Sequence, residues 1–227
     1  MSEKRKVSVV SIAKRQEEFE PLKKALKEQS YRDFEFVTST KGTIPEAWND
    51  AVSRAKGDII VFTETDAFPV NEHWLKDLIS EMKDEKTIVR GIEVIPHPWD
   101  LCNLAVPKKV FEEIRFDEAF LVAEDTEFFA HLKSLGKYTL KEVKTAPVVH
   151  SRNDHPSKRL SRAFMYGRLW TRARLRHGTS GPGSSPRGTT LAGFSTVAVK
   201  LAFILENILN LSGMGVGLIE YYLLGRR

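Results

Sequence analysis

Two carboxylates follow the most apolar run of this sequence, and their chemistry suits them to bind a divalent cation. Ile59–Phe62 contains only large apolar residues, and Glu64 and Asp66 come shortly after it. A run without polar alternation predicts a central strand covered on both faces, and ligands bind beyond the carboxyl ends of such strands. Carboxylate oxygens are preferred ligands of Mg²⁺ and Mn²⁺. The pair therefore indicates either a metal site or an Asp66 that caps the turn before Pro69 or the following helix.

A second acidic pair, Glu124 and Asp125, stands at the start of an apolar pattern with helical spacing that includes Phe128 and Leu132. A helix N-terminus carries partial positive charge and stabilises anionic side chains. Taken alone, this pair is explained by helix capping as well as by chemistry.

The elements that must position these carboxylates alternate between strands and helices up to about residue 150. The strand-like runs are 7–12, 34–37, 59–62 and 87–89, and the helical patterns between them are 19–26, 44–55 and 74–82. This alternation predicts an α/β fold whose mostly parallel sheet is flanked by helices. We assign residues 1–150 to this domain, 151–177 to a basic helical segment, 178–190 to a flexible loop of glycine, serine and proline, and 191–227 to an apolar helical appendage.

The order of short motifs over residues 7–150 resembles that of the inverting glycosyltransferases of family 2, which have the GT-A fold. The resembling segments are QSYRDFE at 29–35, AWNDAVSRAKGDII at 47–60, the acidic segment 62–67 in place of an Asp-x-Asp motif, NLAV at 103–106, FDE at 116–118, ED at 124–125 and PVVH at 147–150. The resemblance implies a GT-A-like domain that transfers a sugar, with inversion, from a nucleotide-diphosphate donor. It also implies a hexosyltransferase that depends on Mg²⁺ or Mn²⁺.

The resemblance also implies roles for individual residues. Asp66 is expected to bind the metal with Glu64 as its partner, and Asp125 is expected to be the general base that deprotonates the acceptor hydroxyl. His150 is expected to be a third metal ligand or a structural histidine. The residues expected to contact the donor are Ile12, Ala13, Arg15, Lys41, Asn49, Glu64 and Arg159.

Three departures from the family pattern leave other functions open. Glu64 replaces the first aspartate of the metal motif, the segment 12–16 lacks the family's usual sequence, and the segment 38–41 lacks its aspartate pair. The nucleotide and the sugar are therefore not assigned. The alternatives are a sugar nucleotidyltransferase with a similar carboxylate site and a glycosyltransferase-like scaffold that has lost activity.

The segment 151–177 is strongly basic, and Asp154 is its only acid. Arg159 and its neighbours are interpreted as a clamp for a donor diphosphate, a surface for anionic lipid, or a solvated helix face. Nucleic acid is not expected as a partner, because no recognised nucleic-acid module accompanies the charge.

The apolar segment 191–227 is interrupted by Lys200, Glu206 and Glu220, so it is not predicted to span a membrane. Its polar residues fall on one arc, which predicts a helix lying in the membrane interface, broken by glycines at 213–217. A helical pair buried against the catalytic domain or in a homodimer is the alternative. The interfacial helix is the basis for expecting a surface glycan or a lipid-linked acceptor.

The composition fits an ordinary folded domain. Hydrophobic residues make up 41% of the chain, which excludes global disorder, and the net charge of +5 is only a weak indication of an anionic partner. Cys102 is the single cysteine, which excludes an internal disulfide and a cysteine-based zinc site and predicts a buried thiol. The N-terminus shows no apolar signal segment, so we expect a cytoplasmic protein associated with the inner face of the cell membrane.

Overall fold

The computed structural model describes residues 5–94, 101–151 and 156–178, together with 208, 211–214 and 216; for 156–163 it describes the backbone only. The strands are β1 (Val7–Ile12), β2 (Phe34–Ser39), β3 (Ile59–Phe62), β4 (Ala67–Pro69), β5 (Thr87–Glu93), β6 (Leu104–Pro107) and β7 (Thr139–His150). The helices are α1 (Glu20–Lys27), α2 (Ile44–Arg54), α3 (Trp74–Ser80), α4 (Val110–Glu113), α5 (Glu124–Ser134) and α6 (Pro156–His177), and a 3₁₀ helix, Gln16–Phe19, precedes α1.

The strands form one seven-stranded sheet in the order β2-β1-β3-β6-β5-β7-β4. β1 is parallel to β2 and β3, and β5 is parallel to β7. β6 is antiparallel to β3 and β5, and β4 is antiparallel to β7. The α/β fold class is confirmed, but the sheet is mixed where the sequence predicted a mostly parallel one. An apolar strand that is covered on both faces has the same pattern in either direction, so its sequence does not reveal the direction.

Alternate residues of β3 face two different layers of helices. Val61 packs in a core cluster with Leu22 of α1 and Leu75 of α3. On the other face, the ring of Phe62 lies 5.2 Å from the ring of Trp48 of α2. Because successive side chains of a strand point to opposite faces, both layers need apolar partners. This double burial explains the unbroken apolar run that ends just before Glu64.

Asn103 fills an interruption in the pairing of β5 with β7. The register of the two strands shifts between Gly91 and Ile92. The Asn103 Nδ2 donates to the carbonyl oxygens of Ile92 at 3.1 Å and Ala146 at 2.8 Å, and its Oδ1 accepts from the Trp74 indole at 2.8 Å. A single buried amide therefore satisfies the backbone at the shift and sets the position of the last residues of β5 and β7.

The chain groups into two compact units, one made of residues 1–118 and 135–152 and the other of 119–134 and 153–227. The whole sheet belongs to the first unit. In the second unit, α5 and α6 pack through an apolar cluster made of Phe120, Ala123, Ala130, Leu169 and Ala173. Residues 119–134 thus group with the C-terminal segment, although the sequence pattern places them in the predicted domain 1–150.

The predicted loop 178–190 and most of the apolar segment 191–227 lie outside the described residues. Residues 211–214 and 216 are helical, so the predicted glycine break is wrong at these positions. The physical reason is visible at Gly213, which is buried and where an added Cβ would overlap the backbone of Phe164. In the described part of the chain, no helix combines the length and the apolar character needed to cross a membrane.

Candidate functional site

The carboxylates that follow β3 meet the last residue of β7. The buried Thr63 continues from β3, with its N–H donating to the carbonyl oxygen of Val10 at 3.1 Å. The chain then turns into β4, whose first residue, Ala67, pairs with His150. This antiparallel pairing brings a residue more than eighty positions away in sequence beside Asp66.

Three side chains converge at this point. The His150 Nε2 lies 3.2 Å from the Glu64 Oε2 and 3.2 Å from the Asp66 Oδ1. One ligand atom from each of the three lies within 4.8 Å of the others, a spacing that a single cation can bridge. The imidazole is 4% exposed, whereas the side chains of Glu64 and Asp66 are 33% and 47% exposed. The two carboxylates are thus accessible to a ligand, whereas the histidine that contacts both of them is buried.

Glu93 is a fourth member of the site and was not predicted from the sequence. Its Oε2 lies 3.4 Å from the His150 Nδ1, and its side chain is only 8% exposed. Cys102 is buried, as predicted. Its Sγ lies within 4.8 Å of one ligand atom of His150 and one of Glu93. The strand predicted at 87–89 extends over 87–93 in the structure and ends at Glu93. The available signal in the sequence was therefore a carboxylate at the end of a strand.

The environment of His150 favours its charged form in the absence of a cation. Burial lowers the pKa of the imidazole, but hydrogen bonds with Asp66, Cys102, Glu64 and Glu93 outweigh it, so the pKa lies above its ordinary value of 6.5. The proton neutralises part of the surrounding negative charge. A cation that binds the Nε2 must replace that proton.

The predicted donor residues near β1 lie at the adjoining ends of β1 and β2. Ile12 is the last residue of β1, and the Ala13 N–H donates to the carbonyl oxygen of Ser39 at 3.1 Å. The Arg15 guanidinium lies 2.9 Å from the Glu18 carboxylate, and its side chain is 69% exposed. The structure therefore brings Ile12 and Ala13 next to the end of β2 and leaves Arg15 on the surface.

The predicted donor residues of α2 and the preceding turn contact other protein groups. The Lys41 Nζ lies 3.9 Å from the Asp50 Oδ1, and the Ser39 hydroxyl donates to the Asp50 Oδ2 at 2.8 Å. The Asn49 amide donates to the Phe116 carbonyl oxygen at 2.9 Å and accepts from the Phe116 N–H at 3.0 Å. These bonds fix the backbone at Phe116 and favour a structural role for Asn49.

Asp125, the predicted base, is the second residue of α5 in the second unit. Its Oδ1 accepts from the Thr126 N–H at 2.6 Å. The residue just before the helix, Ala123, has a φ of 65° although it is not glycine, and its carbonyl oxygen accepts from the Glu127 N–H at 3.0 Å. A left-handed residue of this kind costs roughly 1–2 kcal/mol, and burial of its methyl group in the α5–α6 cluster offsets part of that cost. The backbone of Arg159 lies in α6, and its side chain lies outside the description.

Solved glycosyltransferase structures share this fold. The mannosyltransferase PcManGT from Pyrobaculum calidifontis, in complex with GDP-Man and Mn²⁺, has a TM-score of 0.65 at 15% identity, covering 99% of this chain and 77% of its own. The glucosyl-3-phosphoglycerate synthase from Mycobacterium tuberculosis, in complex with Mn²⁺, UDP and phosphoglyceric acid, has a TM-score of 0.59 at 14% identity, covering 79% and 81%. TarS from S. aureus, in complex with UDP-GlcNAc, has a TM-score of 0.53 at 13% identity, covering 76% and 67%. These likenesses confirm the GT-A-like fold.

The sequence itself assigns the family. No curated protein matches the chain significantly. The family model described as "Glycosyl transferase family 2" matches residues 13–130, a segment that includes Glu64, Asp66, Glu93 and Asp125. This match extends over more than half of the 227 residues, and it agrees with the resemblance carried by the short motifs. The protein therefore belongs to glycosyl transferase family 2.

Proposed function

We propose that this protein transfers a sugar from a nucleoside-diphosphate sugar to an acceptor hydroxyl, with a divalent cation held by Glu64, Asp66 and His150. The observation that carries the proposal is the convergence of these three side chains beyond β3. The family match supports the reaction class. Support also comes from relatives of the same fold that bind GDP-Man or UDP together with Mn²⁺.

The residues of the site fit Mg²⁺ or Mn²⁺. Two carboxylates and one imidazole, within 4.8 Å of one another, provide mostly oxygen ligands, as these cations prefer. Glu93, beside the Nδ1, orients the ring so that the Nε2 faces the two carboxylates. When bound, the cation neutralises the charge that develops on the departing nucleoside diphosphate. Glu64 in place of an aspartate is one methylene longer, and its Oε2 still reaches to 3.2 Å from the imidazole.

Asp125 is proposed to accept the proton of the acceptor hydroxyl as it attacks the anomeric carbon. The Thr126 N–H holds one carboxylate oxygen, the Oδ1, and thereby orients the side chain at the first turn of α5. One displacement on the face opposite the leaving group inverts the anomeric centre. Inversion and a hexose as the transferred sugar are both part of the proposal.

The donor nucleotide is proposed to lie along the ends of β1 and β2, bordered by Ile12 and Ala13. Lys41 is 71% exposed next to Asp50, and Arg15 is exposed after β1, so both cations are available to an anionic ligand. Arg159 is proposed to add a further positive charge to the diphosphate.

The acceptor is proposed to be a surface glycan or a lipid-linked sugar presented at the inner face of the cell membrane. Support comes from the apolar composition of 191–227 and the basic composition of 151–177. Ile208 and Leu211 are exposed large apolar residues in this segment, which suits either a membrane surface or a homodimer.

A donor screen tests the proposal. UDP, GDP, CMP and dTDP sugars are each incubated with the full-length protein, with and without Mn²⁺, and the release of free nucleotide is measured as the sugar is transferred to water, which takes the place of the acceptor hydroxyl. We expect one sugar nucleotide to be turned over with Mn²⁺, and Asp66→Asn to abolish that turnover. Glu72→Gln, which changes a carboxylate 65% exposed at the surface, is the matched control.

The products distinguish the alternative functions. A glycosyltransferase releases nucleoside diphosphate or monophosphate from the sugar nucleotide, and NMR of the product gives its anomeric configuration. A sugar nucleotidyltransferase instead produces pyrophosphate from a nucleoside triphosphate and a sugar phosphate. An inactive scaffold gives neither product with any donor, and this outcome would overturn the proposal.

A further inference from the structure

A second group of side chains that could hold a metal ion lies in the unit formed by α5 and α6. Glu127 and His131 are four residues apart on α5, so they occupy the same face of the helix. His177, the last residue of α6, places its Nε2 2.7 Å from the Glu127 Oε1. The rings of His131 and His177 are stacked, with centroids 4.5 Å apart and planes 18° from parallel.

The burial of this group is unusual for such polar side chains. The Glu127 side chain is only 2% exposed and that of His177 only 10%. A buried carboxylate requires a compensating positive charge, because transfer of an unpaired charge out of water is very costly. The two stacked imidazoles each offer a ring nitrogen beside this carboxylate. One dication could bind the carboxylate and both rings at once, because one ligand atom from each lies within 4.8 Å of the others.

We propose that Glu127, His131 and His177 form a site for a transition-metal dication of the Zn²⁺ or Co²⁺ type, which ties α5 to α6. One ligand atom from each residue lies within 4.8 Å of the others. Two imidazole nitrogens and one carboxylate oxygen are a ligand set of Zn²⁺, whereas Mg²⁺ prefers oxygen ligands alone. His131 is partly exposed, which leaves a path for the ion and a position for water.

This site has a specific place in the fold. Its ligand Glu127 is two residues after Asp125, and the α5–α6 cluster packs through Ala130 and Ala173. The ion would therefore hold together the two helices of the unit that contains Asp125. The inference does not depend on the identity of the donor or on the transfer reaction.

The test measures Co²⁺ binding by the visible absorption of the bound ion, in full-length protein without an affinity tag. The Glu64→Gln/Asp66→Asn double variant is the background, because it removes two ligands of the first site. We expect this background protein to bind one equivalent of Co²⁺, which Zn²⁺ displaces. His177→Gln and His131→Gln should each weaken Co²⁺ binding by at least about 10-fold, since removal of even a group behind a metal ligand has an effect of that size.

The controls separate loss of a ligand from loss of the fold. The Gln of His177→Gln can still donate a hydrogen bond to Glu127, and circular dichroism without metal should show an unchanged fold. His73→Gln changes a histidine 56% exposed at the surface and should leave Co²⁺ binding unchanged. If the background protein binds no Co²⁺, or if His177→Gln and His131→Gln bind it as well as the background does, the proposal is wrong.

Discussion

The imidazole of His150 lies between Glu93 on one side and the exposed carboxylates on the other, with its Nδ1 3.4 Å from the Glu93 Oε2. A histidine that binds a metal usually donates its other ring N–H to a carboxylate, and this contact fixes the tautomer and the ring orientation. Here β5 brings Glu93 into that position, because the end of β5 pairs in parallel with β7. Glu93 is therefore a positioning residue for the proposed metal site.

We expect Glu93→Gln to weaken Mn²⁺ binding in the presence of nucleoside diphosphate by about 10-fold, the lower range for loss of a carboxylate behind a metal-binding histidine. The glutamine keeps the size of the side chain and a hydrogen-bond acceptor but removes its charge. Isothermal titration calorimetry measures the affinity. Glu142→Gln, which changes an exposed carboxylate paired with Arg90 on the same strands, should leave it unchanged. If Glu93→Gln and Glu142→Gln bind Mn²⁺ with equal affinity, Glu93 does not position the metal site.

Asp125→Asn should lower kcat by about 100-fold or more, the range of general-base contributions, while donor affinity is nearly preserved. The amide cannot accept the proton of the acceptor hydroxyl, but it keeps an oxygen for the Thr126 N–H. Steady-state kinetics with varied donor give both parameters, and Glu28→Gln at the surface is the control. Loss of donor binding with residual turnover intact would instead make Asp125 a substrate-positioning residue.

Asn103→Leu should lower the free energy of unfolding by about 3 kcal/mol. The leucine has a similar volume but leaves two backbone carbonyl groups and the Trp74 indole without their bonds, and each such buried group costs roughly 1–3 kcal/mol. Urea denaturation measures the change. Ser80→Ala, which removes an exposed side-chain bond to Asp77, should change stability by less than about 0.5 kcal/mol. A small effect of Asn103→Leu would mean that the shift between β5 and β7 does not need this amide.

Asp50 should stabilise the folded protein at neutral pH and lose that contribution in acid. Hydrogen bonds from Ser39 and Arg54 lower the pKa of its carboxyl below the ordinary value of 3.8. A carboxyl whose pKa is lower in the folded protein than in the unfolded protein stabilises the fold at pH values above its unfolded pKa. This stabilisation is lost as the pH falls through the pKa of the folded protein. Asp50→Asn should therefore be less stable than the native protein at neutral pH, and this difference should shrink in strong acid. Thermal unfolding across this range measures it, and a difference independent of pH would contradict the assignment.

The sequence predicted the parts of the fold that depend on local pattern. The apolar run of β3 and the following Glu64 and Asp66 were identified because a strand buried on both faces has an unmistakable composition. His150 was identified only through the family resemblance, because no local pattern connects it with Asp66. The contact arises from the pairing of β4 with β7, a three-residue strand that contains a proline and has no clear signal of its own.

Other features depended on tertiary contacts that a local pattern does not record. Glu93 contacts His150 because of the shift in register between β5 and β7, which Asn103 stabilises. The direction of β6 could not be read from its apolar residues. Gly213 was predicted to break a helix, since glycine weakens an isolated helix, but its lack of a side chain permits the close approach to Phe164.

The binding of Mn²⁺ in the presence of nucleoside diphosphate tests the central claim most directly. Native protein, Asp66→Asn and the control Glu72→Gln are each titrated with Mn²⁺, with and without UDP or GDP. Electron paramagnetic resonance measures the Mn²⁺ that remains free. We predict that the native protein and Glu72→Gln take up Mn²⁺ together with one of the nucleotides. Asp66→Asn should bind it at least about 10-fold more weakly, because the carboxylate that lies 3.2 Å from the His150 Nε2 loses its charge. Uptake by Asp66→Asn with the native affinity and the native dependence on nucleotide would contradict the account.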